Sequence, residues 1–191
     1  MKNIIIIGGS YGGINTAHRI LKQASKIGPF KITLVAPNTH LYVNLASPRS
    51  IIPGELADDK IFLPIVEGFK QYPANRFEFI IAYAESLDTD AKKITLSHAT
   101  GKTTLEYDFL ILATGSTPVG NTPFKELGST KATKDALHAF QEQVKKAKTI
   151  VVAGAGVTGV EVSGELGYEY GKSKEIILVS NRHSEIARVL Y

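Results

Sequence analysis

The sequence predicts an α/β fold in which a parallel sheet carries a small antiparallel insert. Residues 4–7 are four consecutive isoleucines, and they run directly into a glycine-rich loop at residues 8–13. A helical pattern follows, and the same order of strand, glycine loop and helix returns at residues 149–170. One such arrangement is weak evidence, whereas two indicate a duplicated Rossmann-like nucleotide-binding unit.

The first glycine loop is typical of a strand-to-helix turn that binds a dinucleotide. Isoleucines suit a central parallel strand buried on both faces, and glycines let the backbone approach a pyrophosphate at the helix N-terminus. Gly8, Ser10 and Gly13 occupy the three glycine positions of the G-x-G-x-x-G fingerprint. A glycine-rich turn without a ligand is the alternative. The candidate cofactor-binding residues are Gly8, Gly9, Ser10, Tyr11, Gly12 and Gly13.

The same loop also matches the G-x-S-x-G nucleophile elbow of α/β-hydrolases, with Ser10 as the serine. That elbow is likewise a strand-to-helix turn. It normally follows several strands, one of which supplies a loop for the oxyanion hole, and no such strands precede residues 4–7. We therefore favour dinucleotide binding.

The next two elements continue the parallel sheet. Apolar residues from Ile14 onward recur at helical spacing, and Gly28 is predicted to end the helix. Residues 30–35 then predict the second parallel strand. An acid that accepts hydrogen bonds from the adenosine ribose is usual at the end of this strand. Ala36 stands there instead.

The middle of the chain has weaker patterns. Residues 40–49 have no clear period and predict a shaped loop, and residues 58–72 predict a helix interrupted at Pro64. Residues 77–83 predict a strand. The runs 93–97 and 103–107 flank a glycine-containing turn and predict a hairpin, which is the antiparallel insert.

A second buried strand is predicted at residues 108–113, and it ends on Thr114-Gly115. Turn-forming residues at positions 120, 123 and 128 then predict an irregular connecting segment. We place a domain boundary there, which divides the chain into residues 1–120 and 121–191.

The second half repeats the opening. A helix is predicted at residues 131–148, and strands are predicted at residues 149–153 and 175–179, on either side of a second glycine loop and its helix. This loop is a complete G-x-G-x-x-G and predicts a site for a nicotinamide dinucleotide. Its candidate residues are Gly154, Gly156, Val157 and Gly159.

Three further residues are candidates at this second site. Glu161 is predicted in the first turn of the helix, where it either stabilises the helix N-terminus or acts at the nicotinamide. Ser180 and Arg182 follow the next strand, which has no acid at its end. A nearby arginine accommodates a 2′-phosphate, which favours NADPH over NADH, and a solvated loop arginine is the alternative.

Composition limits the other classes of function. The 191 residues contain no cysteine, which excludes disulfides, thiolate metal sites and a dithiol relay. The five histidines have no metal-ligand spacing. No acid occurs before Glu55, and we interpret this basic character as suited to binding an anionic dinucleotide rather than a nucleic acid.

The apolar runs are too short to span a membrane, and the early first strand leaves no room for a leader. We therefore expect a cytoplasmic protein, with mitochondrial or membrane-surface association left open.

Taken in order, the motifs resemble the FAD-dependent pyridine-nucleotide oxidoreductases, and among them the AIF-like and ferroptosis-suppressor-like flavoproteins, which have no redox-active dithiol. The resemblance implies that the first loop binds FAD and that Ala113-Thr114-Gly115 lies against the same FAD. It implies that Ala84 meets the adenine through its backbone and that Arg49 lies beside the flavin. The second loop would bind NAD(P)H in a nucleotide-binding unit that is incomplete here.

The resemblance also implies a reaction. Hydride would pass from NAD(P)H to FAD, and electrons would pass on to an acceptor such as a quinone. The cofactors would perform the chemistry, so we predict no catalytic side chain. Because the resemblance extends only to the N-terminal portion of these flavoproteins, a truncated dinucleotide-binding module without turnover is the alternative.

Overall fold

The computed structural model describes residues 1–23, 26, 28–120, 122–180 and 186–188. In these ranges the strands are β1 Lys2–Ile7, β2 Phe30–Ala36, β3 His40–Tyr42, β4 Phe62–Pro64, β5 Phe77–Ile81, β6 Tyr83–Asp88, β7 Lys93–His98, β8 Gly101–Glu106, β9 Phe109–Leu112, β10 Thr149–Ala153, β11 Glu175–Val179 and β12 Ile186–Arg188. The helices are α1 Tyr11–Lys22, α2 Ser47–Ser50, α3 Asp58–Ile61, α4 Thr130–Lys146 and α5 Val157–Tyr170, with 3-10 turns at Asn44–Ala46 and Val66–Phe69.

The described residues divide into two compact units. The first unit comprises Met1–Tyr42, Phe62–Thr117 and Gly128–Thr130. The second unit comprises the described parts of Val43–Ile61, Pro118–Leu127 and Lys131–Tyr191. The division into nucleotide-binding domains at residue 120 stays a prediction.

The first unit is built on a parallel sheet in the order β5-β2-β1-β9. Its β1 lies between two parallel neighbours, with Ile4 aligned to Ile32 on one side and to Phe109 on the other. Ile5 and Ile6 are only 2% and 0% exposed because the sheet is covered on both faces. The prediction of a central parallel strand from four isoleucines is confirmed.

The strand β9 differs from its prediction. A strand was expected at residues 108–113, and β9 pairs with β1 as a parallel strand should. However, Phe109 and Leu112 are 58% and 63% exposed, so the prediction of a buried strand was wrong. The reason is its position, since β9 lies at the edge of this sheet and pairs only with β1 among the described strands.

The antiparallel insert is a sheet of three strands in the order β6-β7-β8. The predicted hairpin is confirmed as β7 and β8, which pair along their whole length. The strand β6 was not predicted, because the preceding strand was expected to extend to residue 83. That strand ends at Ile81, and the N–H of the buried Ala82 donates to the carbonyl of Ala36 at 3.1 Å before β6 begins.

Residues 40–72 contain two further corrections. The expected loop at residues 40–49 holds β3, a 3-10 turn and α2. The expected helix at residues 58–72 is limited to the four residues of α3, because the chain continues as β4 and pairs with β3 in antiparallel register. Pro64 has no N–H to offer a helix, and it lies opposite His40 at the end of this small ladder.

An aromatic stack lies against α1 in the first unit. The ring of His18 stacks on Phe69 with centroids 4.1 Å apart, and Phe69 stacks on Phe77 at 4.0 Å. His18 Nδ1 and the Tyr72 hydroxyl are hydrogen-bonded at 3.1 Å. Burial lowers the pKa of His18 below its usual value of 6.5, and the charge of Lys22 lowers it further.

Because the pKa of His18 is lowered, we predict that the first unit loses stability at acidic pH. The unfolded chain binds a proton at His18 more tightly than the folded chain, so stability rises with pH up to about pH 6.5. Stability therefore falls as the pH drops below about 6.5 and through the lower pKa that His18 has in the folded protein. A His18→Phe variant keeps a ring against Phe69 and does not titrate. In urea unfolding, wild type should lose stability relative to this variant on acidification, and a difference that does not change with pH would contradict the prediction.

The second unit has its own sheet, in the order β10-β11-β12. The first two of these strands are parallel, as predicted, and β12 is antiparallel to β11. Leu137 of α4 and Leu166 of α5 are 0% and 1% exposed and contribute to its core. Among the helices that the structure describes, none combines the length and apolar character needed to cross a membrane.

Candidate functional site

The first glycine loop connects β1 to α1 at the carboxyl end of the sheet. Gly8 has a φ of +124°, and an added Cβ there would lie 2.1 Å from the carbonyl oxygen of Ala113. The N–H of Ala113 in turn donates to the carbonyl of Ile7 at 2.8 Å. Two motifs that lie about a hundred residues apart in sequence therefore meet, because β1 and β9 are parallel neighbours whose ends share one edge.

Gly13 brings α1 against the strand that precedes it. An added Cβ at Gly13 would lie 1.8 Å from the carbonyl oxygen of Gly8, so any other residue forces the helix away from β1. The first intrahelical hydrogen bond runs from the N–H of Ile14 to the carbonyl of Ser10 at 3.0 Å. The N–H groups of the first turn remain without intrahelical acceptors, and no acid lies in this turn. Its partial positive charge suits a pyrophosphate.

Gly9 has a packing role in addition to its predicted place in the loop. A Cβ at Gly9 would lie 2.7 Å from the Cβ of Ala36 and 2.9 Å from Cδ1 of Ile65. Ala36 is only 2% exposed, so the methyl group that replaces the usual ribose acid is buried under the loop. No local sequence pattern relates Gly9 to residue 36, so this contact was not predictable from the sequence. Gly12 differs, since its Cβ would meet Ala113 Cβ at an ordinary 3.5 Å.

The second glycine loop repeats this backbone arrangement. Gly154 has a φ of +109°, and its N–H donates to the carbonyl of Val179 at 2.8 Å, as the N–H of Gly8 does to Val35 at 2.8 Å. A Cβ at Gly159 would lie 1.8 Å from the carbonyl oxygen of Gly154. Gly156 precedes α5 in an extended conformation, and a Cβ there would meet no atom within 4 Å. The two loops thus share one geometry, with Ser10 in the place of Gly156.

The chain matches the pyridine nucleotide-disulphide oxidoreductase family over residues 2–188. The chain belongs to this family. The resemblance described from sequence and the predicted fold class are both confirmed by this match.

Individual proteins are similar to this chain over most of its length. The oxidoreductase ptaL of Pestalotiopsis fici is 50% identical over 182 residues, which cover 94% of this chain and 49% of ptaL. Ferroptosis suppressor protein 1 of Homo sapiens is 31% identical over 97% of this chain and 44% of its own length. The solved sulfide:quinone oxidoreductase of Aquifex aeolicus is 27% identical with a TM-score of 0.66, over 90% of this chain and 40% of that one. The chain spans about half the length of the curated relatives it matches.

Apart from Arg49, the remaining residues predicted around FAD lie in the first unit. Thr114 and Gly115 follow β9 beside Ala113, and Gly115 has a φ of +68°. Ala84 lies in β6 opposite Leu96, at the point where the register of the insert shifts. Their contact with a cofactor stays a prediction.

The remaining residues predicted for the second site are distributed around α5 and β11. Val157 is the first residue of α5 and is 78% exposed, and Ser180 follows β11. Arg182 lies outside the described residues. Glu161 was expected in the first turn of the helix, and this was wrong, because α5 already begins at Val157 and its first turn contains no acid. The influence of the helix dipole falls off beyond the first turn, so Glu161 has little effect on it.

Arg49 lies on α2, in the second unit. Its Nη1 donates to Oε2 of Glu165 on α5 at 2.6 Å, and its Nη2 pairs with Glu55. The hydrogen bond that Arg49 donates to Glu165, together with the charge of Glu55, raises the pKa of Arg49 above its usual value. Glu165 was not predicted as a partner of Arg49, because no local pattern relates two residues that are 116 positions apart. A role for Arg49 beside the flavin stays a prediction.

Other polar contacts hold residues 43–61 in the second unit. The side-chain amide of Gln141 donates to the carbonyl of Ser50 at 2.6 Å, and that of Asn44 donates to the carbonyl of Phe124 at 3.2 Å. Asp58 lies 3.2 Å from the ammonium of Lys134 and 3.0 Å from the ring of His138. Arg49 is therefore one of several anchors that attach this segment to α4 and α5.

Proposed function

We propose that this chain provides the FAD site and part of the NAD(P)H site of an oxidoreductase that takes hydride from NAD(P)H. The observation that carries the proposal is the repeated loop geometry, in which Gly13 and Gly159 each bring a helix N-terminus to within contact of Gly8 and Gly154. Two such loops in a pyridine nucleotide-disulphide oxidoreductase support one site for each dinucleotide.

The residues of the first loop fit FAD. Gly8 and Gly13 have no side chain and allow close packing of the loop backbone, and the first turn of α1 offers N–H groups for a diphosphate. Ala113, Thr114 and Gly115 would line the same cleft. When bound, FAD supplies the acceptance of hydride and its onward transfer as electrons, so the chain's own residues bind and orient without acting as nucleophiles.

The nicotinamide dinucleotide would bind at Gly154, Gly156 and Gly159. The open space beside Gly156 allows the close approach that a pyrophosphate needs. We favour NADPH over NADH because residues 180–183, which directly follow β11, have no acid to bind a ribose 2′-hydroxyl and include an arginine.

A quinone is the acceptor that we propose. The support is the likeness to a solved protein whose name states that class of acceptor, the sulfide:quinone oxidoreductase of Aquifex aeolicus. A soluble quinone analogue is the corresponding substrate for an assay.

Reconstitution with FAD tests the proposal. After excess cofactor is removed, we expect the protein to keep the visible absorbance of bound flavin, and we expect anaerobic NADPH or NADH to bleach it. The quinone analogue should then restore the absorbance. A correctly folded protein that never retains FAD would contradict the proposal.

A dinucleotide-binding module without turnover is the second candidate. It is favoured by Ala36 in place of the ribose acid. Calorimetric titration with FAD and NADPH, run beside the quinone assay, distinguishes the two. Binding of both dinucleotides without oxidation of NADPH supports the module, whereas sustained turnover rejects it.

A further inference from the structure

The lysine surface is a group of four exposed lysines at the amino end of the parallel strands in the second unit: Lys145, Lys146, Lys148 and Lys172. Two of them lie in the last turn of α4, one directly precedes β10, and one lies between α5 and β11. The strands β10 and β11 begin side by side, because Thr149 is aligned with Glu175 and the N–H of Glu175 donates to the carbonyl of Lys148 at 2.9 Å. The fold therefore brings together lysines from two distant parts of the chain.

A fifth lysine attaches the two segments that form this surface. The ammonium of Lys174 donates to the carbonyl of Lys145 at 2.8 Å and to that of Ala147 at 2.7 Å. It also lies 4.9 Å from the centroid of the Tyr170 ring. A positive charge is favourable at these carbonyls, because they lie at the C-terminal end of α4. Lys174 therefore has a role within the fold and is not counted in the lysine surface.

The ammonium groups of the lysine surface form no ion pair or hydrogen bond with any residue that the structure describes. The lysines at the start of α4 differ, since Lys131 pairs with Asp135 at 2.5 Å and Lys134 pairs with Asp58 at 3.2 Å. Like charges held close to one another repel, and a counter-charge from outside the chain relieves that repulsion. The four lysines are thus available to a partner that carries negative charge.

The acids near the lysine surface leave it positively charged. Glu175 accepts a hydrogen bond from a threonine hydroxyl of β10 at 3.3 Å, and the charge of Glu169 acts on the arginine of α2. Glu142 lies one turn before the end of α4 and forms no ion pair with a described residue. Over residues 142–148 and 168–175, five lysines outnumber three acids, so the net charge of this part of the second unit is positive.

The composition of the lysine surface favours a membrane as the partner. A lysine binds as a point charge, whereas arginine is the usual choice where nucleic-acid phosphates are recognised, and residues 142–148 and 168–175 contain no arginine. Tyr168, in the last turn of α5, is 73% exposed, and tyrosine is enriched where membranes meet water. The surface lies at the opposite end of β10 from the second glycine loop, so docking there leaves that loop open.

We propose that the lysine surface docks this protein on a bilayer that contains anionic phospholipids. Attraction to the negative lipid headgroups holds the amino ends of β10 and β11 against the membrane. Each lysine near such a surface strengthens binding about 5-fold, so the four together should contribute about 100-fold or more. No dinucleotide takes part, so the inference goes beyond the proposed function and does not depend on it.

Co-sedimentation of the whole chain with vesicles tests the inference, without added cofactor. Vesicles that contain phosphatidylserine should bind wild type at low salt and release it as the salt concentration rises to about 0.5 M. Vesicles of phosphatidylcholine alone should not bind it. A glutamine variant should bind the anionic vesicles about 100-fold more weakly than wild type. Its substitutions are Lys145→Gln, Lys146→Gln, Lys148→Gln and Lys172→Gln.

A control variant carries the same change in net charge at other places. It replaces four lysines that form exposed ion pairs: Lys70→Gln, Lys93→Gln, Lys102→Gln and Lys131→Gln. Exposed ion pairs contribute little to stability, so the control variant should unfold in urea close to the wild-type midpoint. It should also keep the affinity of wild type for the anionic vesicles within about 3-fold, because charges farther from the membrane than a Debye length are screened.

Several outcomes would overturn the inference. One is a wild type that does not bind anionic vesicles, or that binds phosphatidylcholine vesicles equally well. Another is an equal loss of binding in the control variant, because net charge alone would then explain it. Binding to duplex DNA without binding to vesicles would assign the surface to a nucleic acid instead.

Arginine at the same four positions keeps the charge and covers the case in which the glutamine variant does not fold. This arginine variant should bind anionic vesicles as wild type does, and a folded arginine variant that no longer binds them would reject an electrostatic surface. Failure of wild type to retain FAD would contradict the proposed function alone, since vesicle binding is measured without FAD.

Discussion

Replacing Gly13 by alanine is expected to destabilise the first unit by about 3 kcal/mol and to abolish FAD binding. The added Cβ would lie 1.8 Å from the carbonyl oxygen of Gly8 and 3.4 Å from Cγ2 of Ile6. Both the oxygen and the isoleucine belong to the strand-loop junction, which cannot yield without moving α1. The displaced helix N-terminus would then no longer face the loop that Gly8 and Ser10 form.

Gly12→Ala is the matched control for the effect on stability. It also adds one methyl group in the first turn of α1, but that Cβ would meet Ala113 Cβ at 3.5 Å, an ordinary contact. Alanine is favoured over glycine in a helix by up to about 1 kcal/mol, so this variant should be as stable as wild type or more stable. Urea unfolding followed by circular dichroism measures both variants. Equal stability of Gly13→Ala and Gly12→Ala would reject the close packing of Gly13 against Gly8.

The sequence predicted the two glycine loops well because their geometry is local. A loop of this kind is specified by a strand, three spaced glycine positions and a helix, all within about fifteen contiguous residues. Gly154 and Gly159 lie five residues apart, and their contact depends on the backbone between them alone. Ser10 stands in the place of Gly156, where an added Cβ would meet no atom within 4 Å, and both residues have an extended backbone before their helix.

The misses are residues whose structure depends on distant partners. Residues 62–64 read as the continuation of a helix, yet they form β4 because residues 40–42 are available as an antiparallel partner. The apolar run of β9 suits a buried strand and an edge strand equally, and only the order of strands in the sheet decides between them.

Arg49 illustrates the same limit at the candidate site. A resemblance placed it beside the flavin, and the structure adds its ion pairs with Glu55 and Glu165. The pairing with Glu165 follows from the packing of α2 against α5. No local pattern in residues 43–61 predicts that packing. The burial of the Tyr11 hydroxyl without a hydrogen-bond partner among the described residues was equally unpredictable, since it is a property of the fold.

Replacing Gly156 by alanine is expected to weaken NAD(P)H binding without disturbing the second unit. A Cβ at Gly156 would have no atom within 4 Å, and the extended backbone, with φ of −76° and ψ of 179°, suits any residue. Loss of glycine at this N-cap position costs about 1 kcal/mol or less. The methyl group would nevertheless occupy the space through which the backbone approaches a pyrophosphate, so Kd for NAD(P)H should rise by about 10-fold or more.

Gly159→Ala is the contrasting variant, because it adds the same methyl group on the crowded side of the loop. Its Cβ would lie 1.8 Å from the carbonyl oxygen of Gly154, so it should destabilise the second unit by about 3 kcal/mol in addition to abolishing binding. Urea unfolding and calorimetric titration with NADPH and NADH measure the two effects separately. A Gly156→Ala protein that binds both dinucleotides as wild type does would mean that the open side of this loop is not where the pyrophosphate lies. The two variants thus distinguish Gly159, which the fold requires, from Gly156, which the ligand requires.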